Sequence, residues 1–228
     1  LALSPVERLR IRHDLASLDE LRPRILEADL ALEHLSTHLH HRDIVTRLVQ
    51  LPGIGLTTAM SVLAAVGDIA RFPSPKQLTS YAGLGAGVHS SGQTHHTGSI
   101  TKQGRRDLRR VLVESAWSAV ENSPFWKQRF DKLARAKHPN VAIVAIARKL
   151  LVLIWHVWSK QACDLNADET FVARKMLTWA EKLDGEGRSG LTTGAFIRQR
   201  LTLLGLGQSM KAVPRGPTRF VPMPEPTT

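Results

Sequence analysis

The sequence is poor in several things at once: it has one cysteine, Cys163, one tyrosine, and only 5% aromatic residues over 228 positions. A lone cysteine excludes an intramolecular disulfide, so no oxidising compartment is called for. No apolar run is both long and uncharged. The most apolar stretch, Val141 to Trp158, is interrupted by Arg148, Lys149 and His156, is short for a bilayer span, and reads as a buried helix. The opening residues lack the charged, then apolar, then small-residue succession of a secretion leader. A cytoplasmic location is expected, without a membrane partner. Position 1 is Leu rather than Met, as expected of a fragment of a longer protein, although an alternative start codon or processing gives the same. Acidic residues are the minority charge: 20 Asp and Glu against 31 Lys and Arg leave a net charge of +11. That balance favours a polyanionic partner, nucleic acid first.

What is present is helical. With 43% apolar residues the chain can bury a real core as one large domain or two small ones. Ser4 with Glu7, and Ser17 with Glu20, have capping-box spacing, and Pro5 sits where a first helical residue belongs. Ile25, Ala28, Leu32, Leu35 and Leu39 keep a three-and-four spacing after a kink expected at Pro23. Residues 1–45 thus read as a helical, coiled-coil-like arm. His34, His38 and His41 share one helix face, but no carboxylate or cysteine set matches their spacing, so a solvated polar face is expected and no metal site is assigned.

Between Ile44 and Val66 two short helical patterns flank the turn Leu51-Pro52-Gly53-Ile54-Gly55, with Thr57 or Thr58 available as cap and Gly67 as terminator. The pattern has the look of a helix-hairpin-helix. Gly53 and Gly55 would let backbone amides approach a phosphate at a helix N-terminus. A short helix follows from Ser74-Pro75 to Tyr81, and the pattern then breaks from Gly83 to Ile100 into Gly, Ser, Thr and His, which reads as a surface loop. Helix is expected again from Lys102 to about Glu121, with Lys102, Arg105, Arg106 and Arg109 on one face beside a stripe from Leu108 to Ala119. Arg110 adjoins them, and only Asp107 and Glu114 are near enough in sequence to offset the charge. Further helices are expected after Ser123-Pro124, over 141–158 and over 168–184. The prolines at 214, 217, 222, 224 and 226 predict a disordered tail from residue 211. The fold class expected is all-α, with units at 1–45 (arm), 46–160 (the turn and serine loop), 161–210 (helical extension) and 211–228 (tail).

A serine in a mobile loop can attack a phosphodiester if something takes its proton and cations surround the phosphorus. Ser90 and Ser91 are the candidate hydroxyls. His89, His95 and His96 are near in sequence, though none is singled out as the base.

In this order, Leu51-Pro52-Gly53-Ile54-Gly55, Phe72 to Tyr81-Ala82-Gly83-Leu84, Ser90-Ser91-Gly92, and Ile100-Thr101-Lys102-Gln103-Gly104 with Leu108-Arg109-Arg110 resemble the C-terminal transposase domain of the IS110 family of bacterial insertion-sequence transposases. The resemblance covers about residues 46–159. It implies a recombinase whose serine nucleophile falls on Ser91, with Ser90 as the fallback. It places phosphate-gripping glycines at Gly53 and Gly55 and a basic helix at Lys102, Arg109 and Arg110. It further implies DNA as partner, a homo-oligomer (dimer or tetramer), and the structured guide RNA that some members use. Magnesium is implied in an N-terminal resolvase-like domain, whose strands ending in acids are not found before residue 46, and no cofactor is expected in this chain. Without that domain the chain alone is expected to bind nucleic acid and not to cut it. The alternatives are a non-catalytic DNA-binding module, from a truncated or remnant transposase, and an RNA-binding structural protein.

Overall fold

Ser4, Pro5 and Glu7 start the first helix as their spacing predicts. In the computed structural model, which describes residues 3–91 and 94–226 with the side chains of 88–91, 94–97 and 99 outside the description, Ser4 Oγ accepts from Glu7 N at 3.3 Å and Glu7 Oε2 accepts from Ser4 N at 2.8 Å. These bonds hold the Glu7 carboxyl below its ordinary value. The helix, α1 (Pro5–Thr37), is one element of 33 residues that continues through Pro23, so the Ser17–Glu20 pair lies inside it. Most of α1 leaves its apolar side chains in solvent, including Leu9, Leu15, Leu18, Leu21 and Ile25. Only its end is anchored: Ser36 is fully buried and its Oγ accepts from Trp179 Nε1 at 2.9 Å, while Glu33 meets Lys182 at 3.4 Å.

The body begins with α2 (Arg42–Val49), a turn, and α3 (Leu56–Val66), which Gly67 terminates as expected. A 3₁₀ turn (Ile69–Arg71) and α4 (Pro75–Tyr81) lead to a β-hairpin, and α5 (Arg106–Asn122), α6 (Pro124–Ala134) and α7 (Pro139–Ser159) complete the layer. By length and composition α7 could cross a membrane, but half of its apolar window is buried in the protein. It is the core helix. Ile146, Leu150 and Ile154 pack into one apolar cluster with Leu48 of α2, Leu78 of α4, and Leu108, Leu112 and Ala116 of α5. The small-residue stripe predicted on α5 faces that core, since Ser115, Ala116 and Ala119 are all buried.

Helix α8 (Glu169–Lys182) and α9 (Thr193–Leu204) follow, with Trp179 edge-on to Phe196 at 5.2 Å between them. The fold is mostly α, as expected, but two segments differ from the sequence reading. The expected loop between Gly83 and Ile100 contains an antiparallel hairpin, β1 (Ala86–Ser91) with β2 (Thr94–Ile100), in which Ser91 pairs with Thr94 and Ala86 with Ile100. The expected disordered tail instead forms β3 (Ala212–Arg215) and β4 (Arg219–Pro222) on top of α8 and α9. Proline count misled there because the order comes from outside the segment. Arg198 of α9, itself buried, donates to the carbonyls of Pro224 at 2.8 Å, Gly207 at 2.5 Å and Met210, and Val213 fills the core. Gly194 lets the tail lie close, since a Cβ there would meet Pro222 O at 2.0 Å.

Arg198→Met is expected to destabilise the protein by about 2–4 kcal/mol, because three carbonyls lose their donor in a water-poor site. It should also abolish amide-exchange protection over residues 212–222. A wild-type tail that exchanges freely would contradict this packing.

Candidate nucleic-acid interface

The turn between α2 and α3 is built by short-range bonds, Leu51 N to Leu48 O and Ile54 N to Leu51 O, both at 3.1 Å. Its two glycines have different reasons. Gly53 has φ +78°, and a Cβ on it would meet Ser115 O at 2.1 Å and Ala119 N at 2.8 Å, so this glycine is demanded by contact with the backbone of α5. Gly55 is exposed, has an ordinary φ of −83°, and a Cβ there would meet nothing within 4 Å. The interior of the fold therefore gives no reason for glycine at 55. Gly55 is also the N-cap of α3, and no side chain caps the helix; the expected cap from Thr57 or Thr58 is not made. The first amides of α3 thus have no side-chain partner at the positive end of the helix dipole.

Beneath the turn lies Lys175 of α8. Its Nζ donates to Leu51 O at 2.5 Å and Ile54 O at 2.8 Å, and burial pushes its ammonium down to about 7. Alongside the turn, α3 and α5 enclose a groove of about 420 Å3 lined by Gly53, Thr57, Ser61, Arg110, Glu114 and Ser118.

The basic residues do not form the single helical face that the sequence suggested. The helix starts at Arg106, because Lys102 (φ 55°) and Gly104 (φ 124°) adopt left-handed backbone and the chain there pairs with the end of α4, through Lys102 N to Gly83 O at 3.2 Å and Arg105 N to Tyr81 O at 2.9 Å. Lys102 and Arg105 therefore sit at the root of the β1–β2 hairpin. Arg105 donates to both oxygens of Asp107, at 2.9 and 2.6 Å, which holds that carboxyl well below its ordinary range and raises the guanidinium. Arg109 is half-buried and donates from Nη1 to Ala82 O at 3.0 Å, tying α5 to the end of α4. Arg106 and Arg110 are exposed, and Arg110 has only a loose, solvent-screened contact with Glu114 at 4.0 Å.

Gly53 and Arg110 are thus brought to one groove with the amide end of α3 beside it, while Lys102, Arg105 and Arg109 gather at the hairpin root. Ser90 and Ser91 occupy the last two positions of β1. At about 3.4 Å per residue, Ser91 lies roughly 17 Å along the strand from Ala86. The side chains of Ser90, Ser91, His89, His95 and His96 lie outside the described residues, as does Gly92. Among the described residues there is no group of three or more His, Cys, Asp or Glu side chains that could hold a metal ion; His34 approaches Asp184 at 3.9 Å. Sequence reasoning missed Lys175, which has no local signature: a lysine in an amphipathic helix reads as surface until the turn is placed over it. It also missed the hairpin, for which the one cue was Gly92-Gln93 between two short Thr-, Val- and Ser-containing runs.

Residues 45–131 match the family described as Transposase IS116/IS110/IS902. A probable family 20 transposase of Pseudomonas aeruginosa is 32% identical over 151 residues, covering 64% of this chain and 44% of the relative. The transposase for insertion sequence element IS1111A of Coxiella burnetii is 34% identical over 122 residues, or 50% of this chain and 33% of the relative. The pilin gene-inverting protein of Moraxella bovis is 35% identical over 150 residues, 64% and 45% respectively. The chain spans less than half the length of each of these relatives. Over residues 45–131 it carries a transposase domain of the IS116/IS110/IS902 family.

Proposed function

We propose that this chain is the DNA-holding, serine-bearing half of a transposase, with α2, the 50–55 turn and α3 acting as a helix-hairpin-helix. The observation that carries the reading is Gly55: an exposed glycine without an internal reason, at the uncapped N-terminus of α3, a helix whose Thr57 and Thr58 line a groove together with Arg110. A phosphate is the ligand such a surface fits, through backbone amides without sequence readout. In this reading Ser91 Oγ, with Ser90 as the fallback, attacks phosphorus. The new Oγ–P bond forms as the P–O bond to one deoxyribose breaks, the serine proton passes to a base, and the leaving DNA hydroxyl can later reverse the step. Magnesium belongs to a resolvase-like domain outside this sequence, and no step here runs through it.

The position of Ser91 at the far end of β1 supports a second subunit as the source of the cations it meets. The exposed apolar positions of α1 support pairing of arms in a dimer or tetramer. The same strand position also favours the runner-up reading, a binder in which Ser91 does no chemistry, with DNA or a structured guide RNA as its ligand.

Three outcomes are expected. First, with a resolvase-like domain, magnesium and guide RNA supplied, a suicide DNA substrate should form a covalent adduct that Ser91→Ala abolishes; an adduct surviving that change but lost in Ser90→Ala would move the role to Ser90, and none in the wild type would favour the binder. Second, Gly53→Ala should cost about 2–4 kcal/mol in urea denaturation, from backbone overlap and left-handed φ, whereas Gly55→Val should leave the fold within about 1 kcal/mol and weaken DNA binding about tenfold. Equal effects of the two on stability would contradict the division of roles. Third, Arg110→Ala should lower the slope of log affinity against log salt by about 0.9, while Arg109→Ala should act chiefly on melting temperature. A slope that only Arg109 moves would reverse the assignment.

A further inference from the structure

Lys175 lies on α8, outside the residues that match the family, yet among the described residues its ammonium is the only donor to the inward carbonyls at the two ends of the turn besides the turn's own 3.1 Å bond. Burying an ammonium is unfavourable without an anion to meet it. Here burial lowers the group's pKa, and among the described residues no carboxylate forms an ion pair with it; Glu33, which reaches this side of α8, is engaged by Lys182 at 3.4 Å. A fold that needed only volume at this place would be served by Met or Leu. What the lysine adds is direction.

Across a trans peptide, C=O and N–H point in opposite directions, and the described residues contain no cis peptide. Holding Ile54 O inward on Lys175 Nζ therefore turns the N–H of Gly55 outward, where Gly55 is exposed and where its N–H makes no backbone hydrogen bond among the described residues. The other carbonyl, Leu51 O, belongs to the Leu51–Pro52 peptide, which has no N–H to aim. It serves as the second anchor. Two fixed carbonyls, three residues apart, set the orientation of the turn between them, and the same cavity side of Lys175 opens beside Gly55, Leu56, Thr57 and Thr58.

We propose that Lys175 is a positioning residue for nucleic-acid binding, whose Nζ grips Leu51 O and Ile54 O from beneath and so presents the Gly55 amide to a backbone phosphate. The inference rests on the reading of the turn as the phosphate grip. Lys175 does not touch the phosphate itself. A cation that touched one would contribute to the salt slope; a cation that only orients an amide does not.

The test is fluorescence-anisotropy titration of the full chain with a mixed-sequence DNA duplex over a salt series, for wild type, Lys175→Met, Lys175→Gln and Gly55→Val, each checked by circular dichroism. Lys175→Met should bind about tenfold more weakly, as for one lost charge-assisted contact, with an unchanged salt slope. Lys175→Gln, which keeps N–H donors on a shorter stem, should recover part of the loss; it also carries the test if the Met variant does not fold. Wild-type affinity in Lys175→Met alongside weakened Gly55→Val would overturn the role of Lys175 and leave the grip standing. A slope reduced by about 0.9 in Lys175→Met would overturn it too, by making Lys175 a direct contact. If neither Gly55→Val nor Lys175→Met changes affinity, the turn is not the grip and both readings fall.

Discussion

The contact between Gly53 and the backbone of α5 governs the geometry of the candidate interface. A Cβ on Gly53 would stand 2.1 Å from Ser115 O, so turn and helix meet at a separation that only a missing side chain permits. Once the turn is seated on α5, the start of α3 and Arg110 must flank one groove, because α5 carries Arg110 little more than one helical turn before Ser115. A second close approach sets where α5 begins: at Gly104 a Cβ would stand 2.2 Å from Tyr81 O. Together these two backbone contacts set the α3 terminus, the basic start of α5 and the root of the hairpin relative to one another. Arg109, one of the basic residues expected at a phosphate, is partly consumed in tying α5 to the end of α4.

The helices were legible because their signals are local. Ser4 with Glu7, Ser74 with Pro75, and Gly67 each act within a turn of helix, and the structure uses each as a boundary. The small-residue stripe on α5 was legible for the same reason, being a periodicity along one element. What failed depends on residues distant in sequence. The tail from 211 is held by Arg198, and nothing within the tail announces that three of its neighbouring carbonyls will find one guanidinium. The start of α5 was placed four residues early because Lys102, Arg105, Arg106 and Arg109 fit a helical spacing, while the left-handed backbone at Lys102 and Gly104 is imposed by pairing with Tyr81 and Gly83.

The same division runs through the site. Gly53 and Gly55 stood out as a motif, but their separate purposes appear only when a Cβ is placed on each and the neighbours are found. Lys175 stood outside every motif because its role is defined by carbonyls more than 120 residues earlier. The hairpin sets the backbone of Ser90 and Ser91 by β-pairing, at the far end of β1 from Ala86.

The claim on which the rest stands is that the exposed amides at the start of α3 are where nucleic acid is held. Titrating ¹⁵N-labelled protein with a short duplex and following amide shifts reads those groups directly. The account predicts the largest downfield movements at Gly55, Leu56 and Thr57, with smaller ones along the exposed side of α5. Unmoved resonances at those three amides, with shifts confined to the arm α1 or to the β3–β4 hairpin, would contradict it.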